Sequence, residues 1–280
     1  MNFIPSTVTA KSMLITPQVA AEMLVRNTKN RNMSKSYVAA LARDMAAGKW
    51  QENGDSIRFA KGGVLLDGQH RLTAIVQSQT PIRCWIIEGV DPESMRTIDS
   101  GKKRTYSDRL SINGIKNHGR YGPTINLMSY LCGQKSKSGA KGNMGHGLTQ
   151  SELEQVRLAH PELESSIEQT HKVFPTVENL TGALHYIACY QNRHSDAARF
   201  VEVWRNGQST YPNDAALFSR EWIIKDNARM RRTALGGRQM VVVDGFRRFM
   251  KHKPMKSTQT ANSLLVPNFS SDDLFTGKAQ

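Results

Sequence analysis

The sequence has few cysteines, no long apolar run and a shortage of acidic residues. No stretch approaches the run of about 18 apolar residues that marks a membrane helix, so a transmembrane helix is excluded. The start, MNFIPSTVTAKSMLITP, lacks the basic and long apolar regions of a secretion signal. Only three cysteines occur, Cys84, Cys132 and Cys189, odd in number and far apart. No Cys-x-x-Cys pair exists, so neither a zinc site nor a disulfide framework is expected, and a reducing cytoplasm is. The histidines show no metal spacing. No Gly-x-Ser-x-Gly elbow appears, so a hydrolase triad has no support. The Glu152/Glu154 and Glu162/Glu164 pairs are two residues apart and do not share a helix face. They read as solvated surface.

What is present is core-forming residues and positive charge. Of 280 residues, 39% are hydrophobic, enough for one large domain or two ordinary ones. The net charge is +14, unevenly placed. Residues 96–141 hold ten Lys/Arg against two acids, residues 151–219 five against nine, and residues 220–256 eleven against three. Two basic segments flank an acidic one, and such patches attract polyanions, nucleic acid first. The candidate contacts are Lys102, Lys103 and Arg104 in a Gly-centred loop, the cluster Arg229, Arg231 and Arg232, and the stripe Arg247, Arg248 and Lys251 beside Phe246, Phe249 and Met250. A solvated charged face without a ligand is the alternative.

Thr16-Pro17 reads as an N-cap with proline at the first helical position, opening a helix to about Arg26. A second helix spans 34–47, with Val38, Leu41, Ala42 and Met45 at helical spacing and Gly48 closing it. Strands at 56–60 and 64–66 form a hairpin, a helix covers 69–78, and a strand covers 82–87. Asp91-Pro92 opens a short helix. Helices are expected at 105–112 and 119–132, then at 150–172, 176–192, 195–206, 213–227 and 237–251. Thr149-x-x-Glu152 is a capping box. The glycine-rich stretch 133–147 reads as a linker. The four tryptophans read as core, with Trp50 the one close to the loop described next.

That loop is Asp67-Gly68-Gln69-His70-Arg71, between a strand and a helix. Unpaired amides and the macrodipole favour an anion at the helix start. Arg71 offers a forked donor pair and His70 another donor. Gly68 permits close backbone approach. A purely structural turn is the alternative.

Residues 14–100 resemble the ParB/sulfiredoxin superfamily. ParB N-terminal domains carry Gly-Glu-Arg-Arg between strand and helix, where this sequence has Gly68, Gln69, His70 and Arg71. Sulfiredoxins carry Gly-Cys-His-Arg, and related free-serine kinases Asp-Gly-His-His-Arg, the closest form. Many phage and mobile-element proteins share a DGQHR-type loop. Asn30-Arg31, the helix 34–47, Gly48 and the hairpin match the upstream order, although the family's proline between Asn and Arg is absent.

The resemblance implies an α/β (α+β) fold with a small mixed sheet over residues 1–112; the helical pattern beyond it reads as a helical domain over 113–252, and the polar composition that follows as a flexible tail over 253–280. The resemblance also implies a nucleotide, ATP or CTP, held by Gly68, Gln69, His70 and Arg71 with Asn30 and Arg31. Gln69 stands where sulfiredoxin chemistry needs a cysteine, so sulfinic-acid reduction is not expected. ParB's second Arg-rich motif has no counterpart. The leading expectation is a nucleotide-binding ParB-like protein of a DNA-related phage or plasmid system, without a membrane partner; a homodimer is compatible. An ATP-dependent kinase is the alternative, with Asp67 and His70 as catalytic candidates and Asp67 as Mg²⁺ ligand. The competing reading of Asp67 is a helix cap. A DNA nuclease ranks last, because no two-metal carboxylate cluster is visible.

Overall fold

The computed structural model describes residues 8–28, 30, 32–96, 104–133, 148–228, 235–258 and 266–277. The chain divides into two compact units, Met1–Lys103 and Arg104–Gln280. Among the described residues there are four strands in one mixed sheet and twelve α-helices.

The first unit holds the sheet. β1 (Thr9–Ile15) is followed by α1 (Pro17–Leu24), α2 (Lys35–Ala46), β2 (Ser56–Ala60), β3 (Leu65–Asp67), α3 (Gln69–Ser78) and β4 (Ile82–Val90). The sheet order is β1-β4-β2-β3. β1 runs antiparallel to β4, β4 parallel to β2, and β2 antiparallel to β3. The Thr16 hydroxyl accepts the Val19 N–H and Pro17 takes the first helical position, as expected. α2 buries Val38, Ala42 and Met45, and ends where Gly48 adopts a left-handed φ of 66°. β4 alternates, burying Ile82, Cys84 and Ile86 while leaving Trp85 39% exposed, so one face of this strand meets water. The core gathers Ile15, Met45, Ile57, Leu65, Leu72 and Ile75 between sheet and helices. β1 is an element that the sequence pattern does not suggest. The short helix expected from Asp91-Pro92 forms as a 3-10 helix, Pro92–Arg96.

The second unit is helical: α4 (Tyr106–Ile112), α5 (His118–Leu131), α6 (Gln150–Ala159), α7 (Leu163–Gln169), α8 (Glu178–Tyr190), α9 (His194–Asn206), α10 (Ala215–Asn227), α11 (Leu235–Phe249) and α12 (Ser271–Thr276). The division at residue 104 assigns α4 to this unit, whose core takes Tyr106 and Leu110, and not to the sheet unit as a boundary at 112 implies. The expected helix 150–172 is two helices, because Pro161 follows the end of α6 and cannot continue its hydrogen-bond ladder. The Thr149–Glu152 capping box forms, with both reciprocal bonds. Within the segment expected to be a loose tail, several of the described residues pack inward. Met255, Val266, Phe269 and Leu274 are all buried, and the His160 ring bonds the Leu274 carbonyl at 2.8 Å. Two buried guanidiniums tie helices together. Arg120 donates to the Ile167 and Glu178 carbonyls and to Thr170 Oγ1, and Arg238 meets Asp226 at 2.8 Å.

Candidate functional site

The site is the junction of β3 and α3. Gly68 is the N-cap of α3, with φ 107° and ψ 2° and no side-chain capping bond. A Cβ placed there would lie 2.9 Å from Ile57 Cγ1. Glycine is therefore required twice over, by the backbone conformation and by the close approach to β2. The first turn of α3 contains no acidic residue. α4, α6 and α12, by contrast, each close their N-terminus with a complete capping box.

Asp67 ends β3 with its carboxylate turned back on the junction. One oxygen accepts the Gly68 N–H at 2.7 Å. The other accepts Arg71 Nη2 at 3.1 Å and lies 3.6 Å from Arg58 Nη1. Asp67 is thus one residue too early to be the N-cap, and it serves as an anchor for two guanidiniums. Arg71 is largely withdrawn from solvent, its side chain 14% exposed, and its Nη1 is buried without a hydrogen-bond partner. A buried donor left unpaired costs about 1–3 kcal/mol, more when charged.

The Mg²⁺ reading of Asp67 does not fit this donor set. The carboxylate is engaged by two cations, and among the described residues no group of three or more His, Cys, Asp or Glu is arranged to hold a metal ion.

Gln69 and His70 face the preceding segment. The Asn27 Nδ2 group donates to Gln69 Oε1 at 3.1 Å, and Asn30 Nδ2 donates to Asn27 Oδ1 at 2.7 Å and to the Leu65 carbonyl at 2.8 Å. The Arg26 carbonyl accepts the Leu65 N–H at 3.0 Å. Arg26, Asn27 and Asn30 therefore lock onto β3 and the start of α3 like a short ladder. His70 Nε2 accepts the Ser34 N–H at 3.1 Å, and its ring meets Tyr37 edge-on at 5.4 Å. That bond leaves Nδ1 as the protonated nitrogen of the neutral ring and commits His70 to the start of α2. Asn30, expected from the resemblance to join the nucleotide site, lies against the loop; Asn27 and Arg58 escape sequence reasoning, since both meet it only through tertiary pairing. Trp50 packs against the core of this unit, with Nε1 buried and unpartnered. Burial raises the Cys84 thiol above its ordinary value, while the charge of Arg71 opposes the rise.

The nucleic-acid candidates divide. Lys102, Lys103, Arg229, Arg231 and Arg232 lie outside the described residues, as do the nucleotide-site candidate Arg31 and most of the glycine-rich stretch 133–147. Arg104 and Lys251 are exposed. Phe246, Phe249 and Met250 pack inward as expected. Arg248, expected to face water, is partly exposed and bonds Asp244 at 3.0 Å, and Arg220 donates to the Trp204 carbonyl at 2.8 Å. Part of the positive charge of residues 220–256 is therefore structural.

No family model, curated protein or solved structure matches this chain.

Proposed function

We propose that the sheet unit binds the phosphate of a nucleotide, ATP or CTP, at Gly68–Arg71, in a protein that acts on DNA. The observation that carries this reading is the orphan Nη1 of Arg71 beside a helix start that has no side-chain cap. An anionic oxygen would pair with that donor and with the amide dipoles of the first turn. Asp67 holds the other nitrogen of the guanidinium, so the fork is pre-oriented and its ordering cost is already met. The Asn27–Asn30–Gln69 chain fixes the loop from behind. The resemblance to ParB-like and free-serine-kinase loops points to the same position.

Contact with the DNA backbone would fall to the exposed Lys251, Lys253 and Lys256 rather than to Arg248. Such contacts are independent of sequence and weaken with salt. Phosphoryl transfer has less support, because Asp67 is tied to Arg71 and His70 to Ser34.

A thermal-shift screen of ATP, CTP, GTP, UTP and inorganic triphosphate tests the reading. A ligand at a hundred times its dissociation constant stabilises the folded state by about 2.7 kcal/mol. At least one nucleotide should raise the melting temperature of the sheet unit. If none does at millimolar concentration, the proposal is wrong.

A further inference from the structure

The helical unit holds a cavity of about 640 Å³, within the range of about 300–1,000 Å³ usual for small-molecule sites. Two of the residues that line it form a hydrogen-bonded pair. Ser107 Oγ lies 2.8 Å from His118 Nδ1, and both residues are partly exposed. A hydroxyl within hydrogen-bond reach of an imidazole is the arrangement that turns serine into a nucleophile, because the ring can take the proton as the oxygen attacks. No Gly-x-Ser-x-Gly elbow builds this pair. Ser107 is the second residue of α4 and His118 the first of α5, and the turn 113–117 folds one helix start against the other.

Glycines let the two helices meet closely. A Cβ at Gly119 would lie 3.8 Å from Ser107 Oγ, and one at Gly122 would lie 3.6 Å from the Tyr106 ring. The Tyr106 ring is itself fixed by its hydroxyl, which donates to Glu154 at 2.8 Å. Ser107 Oγ therefore stands beside the first turn of α5. The N–H groups of His118 and Gly119 have no acceptor within their helix, and no side chain caps that helix. Two free amides next to a nucleophilic oxygen are the donors that a developing oxyanion needs.

The rest of the lining selects the substrate. Tyr106, Pro123, Leu127, Pro175, Val177 and Leu180 supply apolar surface. Glu178 is the one acidic residue of the lining, and it is already engaged: it lies 3.6 Å from Arg120 and accepts His171 Nδ1 at 3.0 Å and the Lys172 N–H at 2.6 Å. No lysine or arginine lines the space among the described residues. An uncharged, largely apolar acyl group suits such walls. His118 Nε2 meets no carboxylate among the described residues, so the imidazolium formed during attack lacks the support that a triad gives it. That restricts the pair to acyl groups with a good leaving group, esters in preference to amides.

We propose that Ser107 and His118 are a nucleophile–base pair that hydrolyses a neutral carboxylic ester whose acyl group occupies this cavity. Ser107 Oγ bonds to the ester carbonyl carbon while its proton passes to His118 Nδ1. The carbonyl π electrons move to the oxygen, where the His118 and Gly119 amides receive the charge. As the carbonyl re-forms, the ester C–O bond breaks, and the leaving oxygen departs as an alcohol with the proton from His118. Water then attacks the acyl-serine, its proton again passing through His118, and the carboxylic acid leaves as Ser107 regains its own.

The test uses the full chain. Hydrolysis of p-nitrophenyl acetate, butyrate and octanoate is followed by release of p-nitrophenolate, and a fluorophosphonate probe, which bonds to activated serines, is located by peptide mass spectrometry. The wild type should hydrolyse at least one ester with saturation, carry the probe on Ser107, and lose turnover in step with labelling. His118→Ala should lower turnover by about 10²- to 10⁴-fold, the range of a positioned base. Ser107→Ala should remove both turnover and label, with a melting transition that shows the unit folded. Labelling and turnover of the wild type decide the matter even where a variant does not fold. Absence of saturable hydrolysis of all three esters overturns the proposal. So does a probe that lands on another residue, or turnover that survives Ser107→Ala.

Discussion

Replacing Gly68 with alanine should destabilise the sheet unit by about 1–5 kcal/mol. Two costs add. The residue sits at φ 107° and ψ 2°, a conformation that an L side chain adopts at about 1–3 kcal/mol. The new Cβ would also lie 2.9 Å from Ile57 Cγ1 and 3.2 Å from both Cβ and Cγ2 of the same residue. Ile57 is fully buried and cannot retreat into solvent, so overpacking adds about 1–3 kcal/mol. Stiffening of the unfolded chain returns about 0.4–1 kcal/mol. The assay is urea unfolding followed by hydrogen exchange of peptide fragments, which separates α3 from the helices of the second unit. Protection should fall in α3 and β3, with α8 unchanged. A double-mutant cycle with Ile57→Ala divides the total, because the steric part couples the two sites and the backbone part does not. A loss below about 1 kcal/mol for Gly68→Ala would refute the claim that this junction demands glycine.

Leu274→Ala should cost about 2–5 kcal/mol in chemical denaturation, since Leu274 is 0% exposed; no measurable change would mean that the C-terminal segment is loose after all. His185 is pushed down to about 4 by burial, with the charge of His194 acting in the same sense. Its folded form is therefore neutral. The unfolded chain, titrating near its ordinary value of about 6.5, binds the extra proton, so stability is complete above that pH and declines by up to about 3 kcal/mol as pH falls toward 4. Melting scans from pH 4 to 7 should show a shallower slope in His185→Gln, and an identical slope would remove His185 as the cause. Neutralising Lys251, Lys253 and Lys256 should flatten the log–log salt dependence of DNA affinity by about 0.9 for each phosphate that the variant no longer neutralises. Neutralising Arg248, which is bonded to Asp244, should instead lower stability, and the reverse pattern would contradict the assignment of roles.

Local signals carry most of what is legible in the sequence. Thr16-Pro17, Ser34, Gly48 and the hairpin before Gly68 act within a few residues of themselves, and the elements they announce form within a residue or two of the expected bounds. β1 is hard to read because it carries Lys11 and Ser12 and its apolar residues, Met13, Leu14 and Ile15, run together rather than alternate; only Ile15 of them is fully buried, and pairing with β4 makes the segment a strand. The C-terminal segment misleads for a related reason. Its polar composition hides Leu274 and Phe269, whose burial depends on partners such as His160 and Tyr190, distant in sequence. At the site, Gly68 and Arg71 are legible from the strand–glycine–helix order. The pairing of Asp67 with Arg58, and the chain from Asn30 through Asn27 to Gln69, bring together residues that no spacing rule connects. The charge count also overstates the free cations, because Arg220, Arg238 and Arg248 are bonded within the helical unit.

Isothermal titration of the nucleotide that gives the largest thermal shift, run side by side on the wild type and on Arg71→Ala, tests the phosphate site most directly. Loss of a charge-assisted bond worth about 1.5–3 kcal/mol should weaken binding by about 10- to 100-fold, with the melting temperature of the free protein little changed because the orphaned Nη1 disappears along with the Asp67 pair. Equal affinity in the two proteins would contradict the phosphate site, and would mean that the nucleotide is held elsewhere than at Gly68–Arg71.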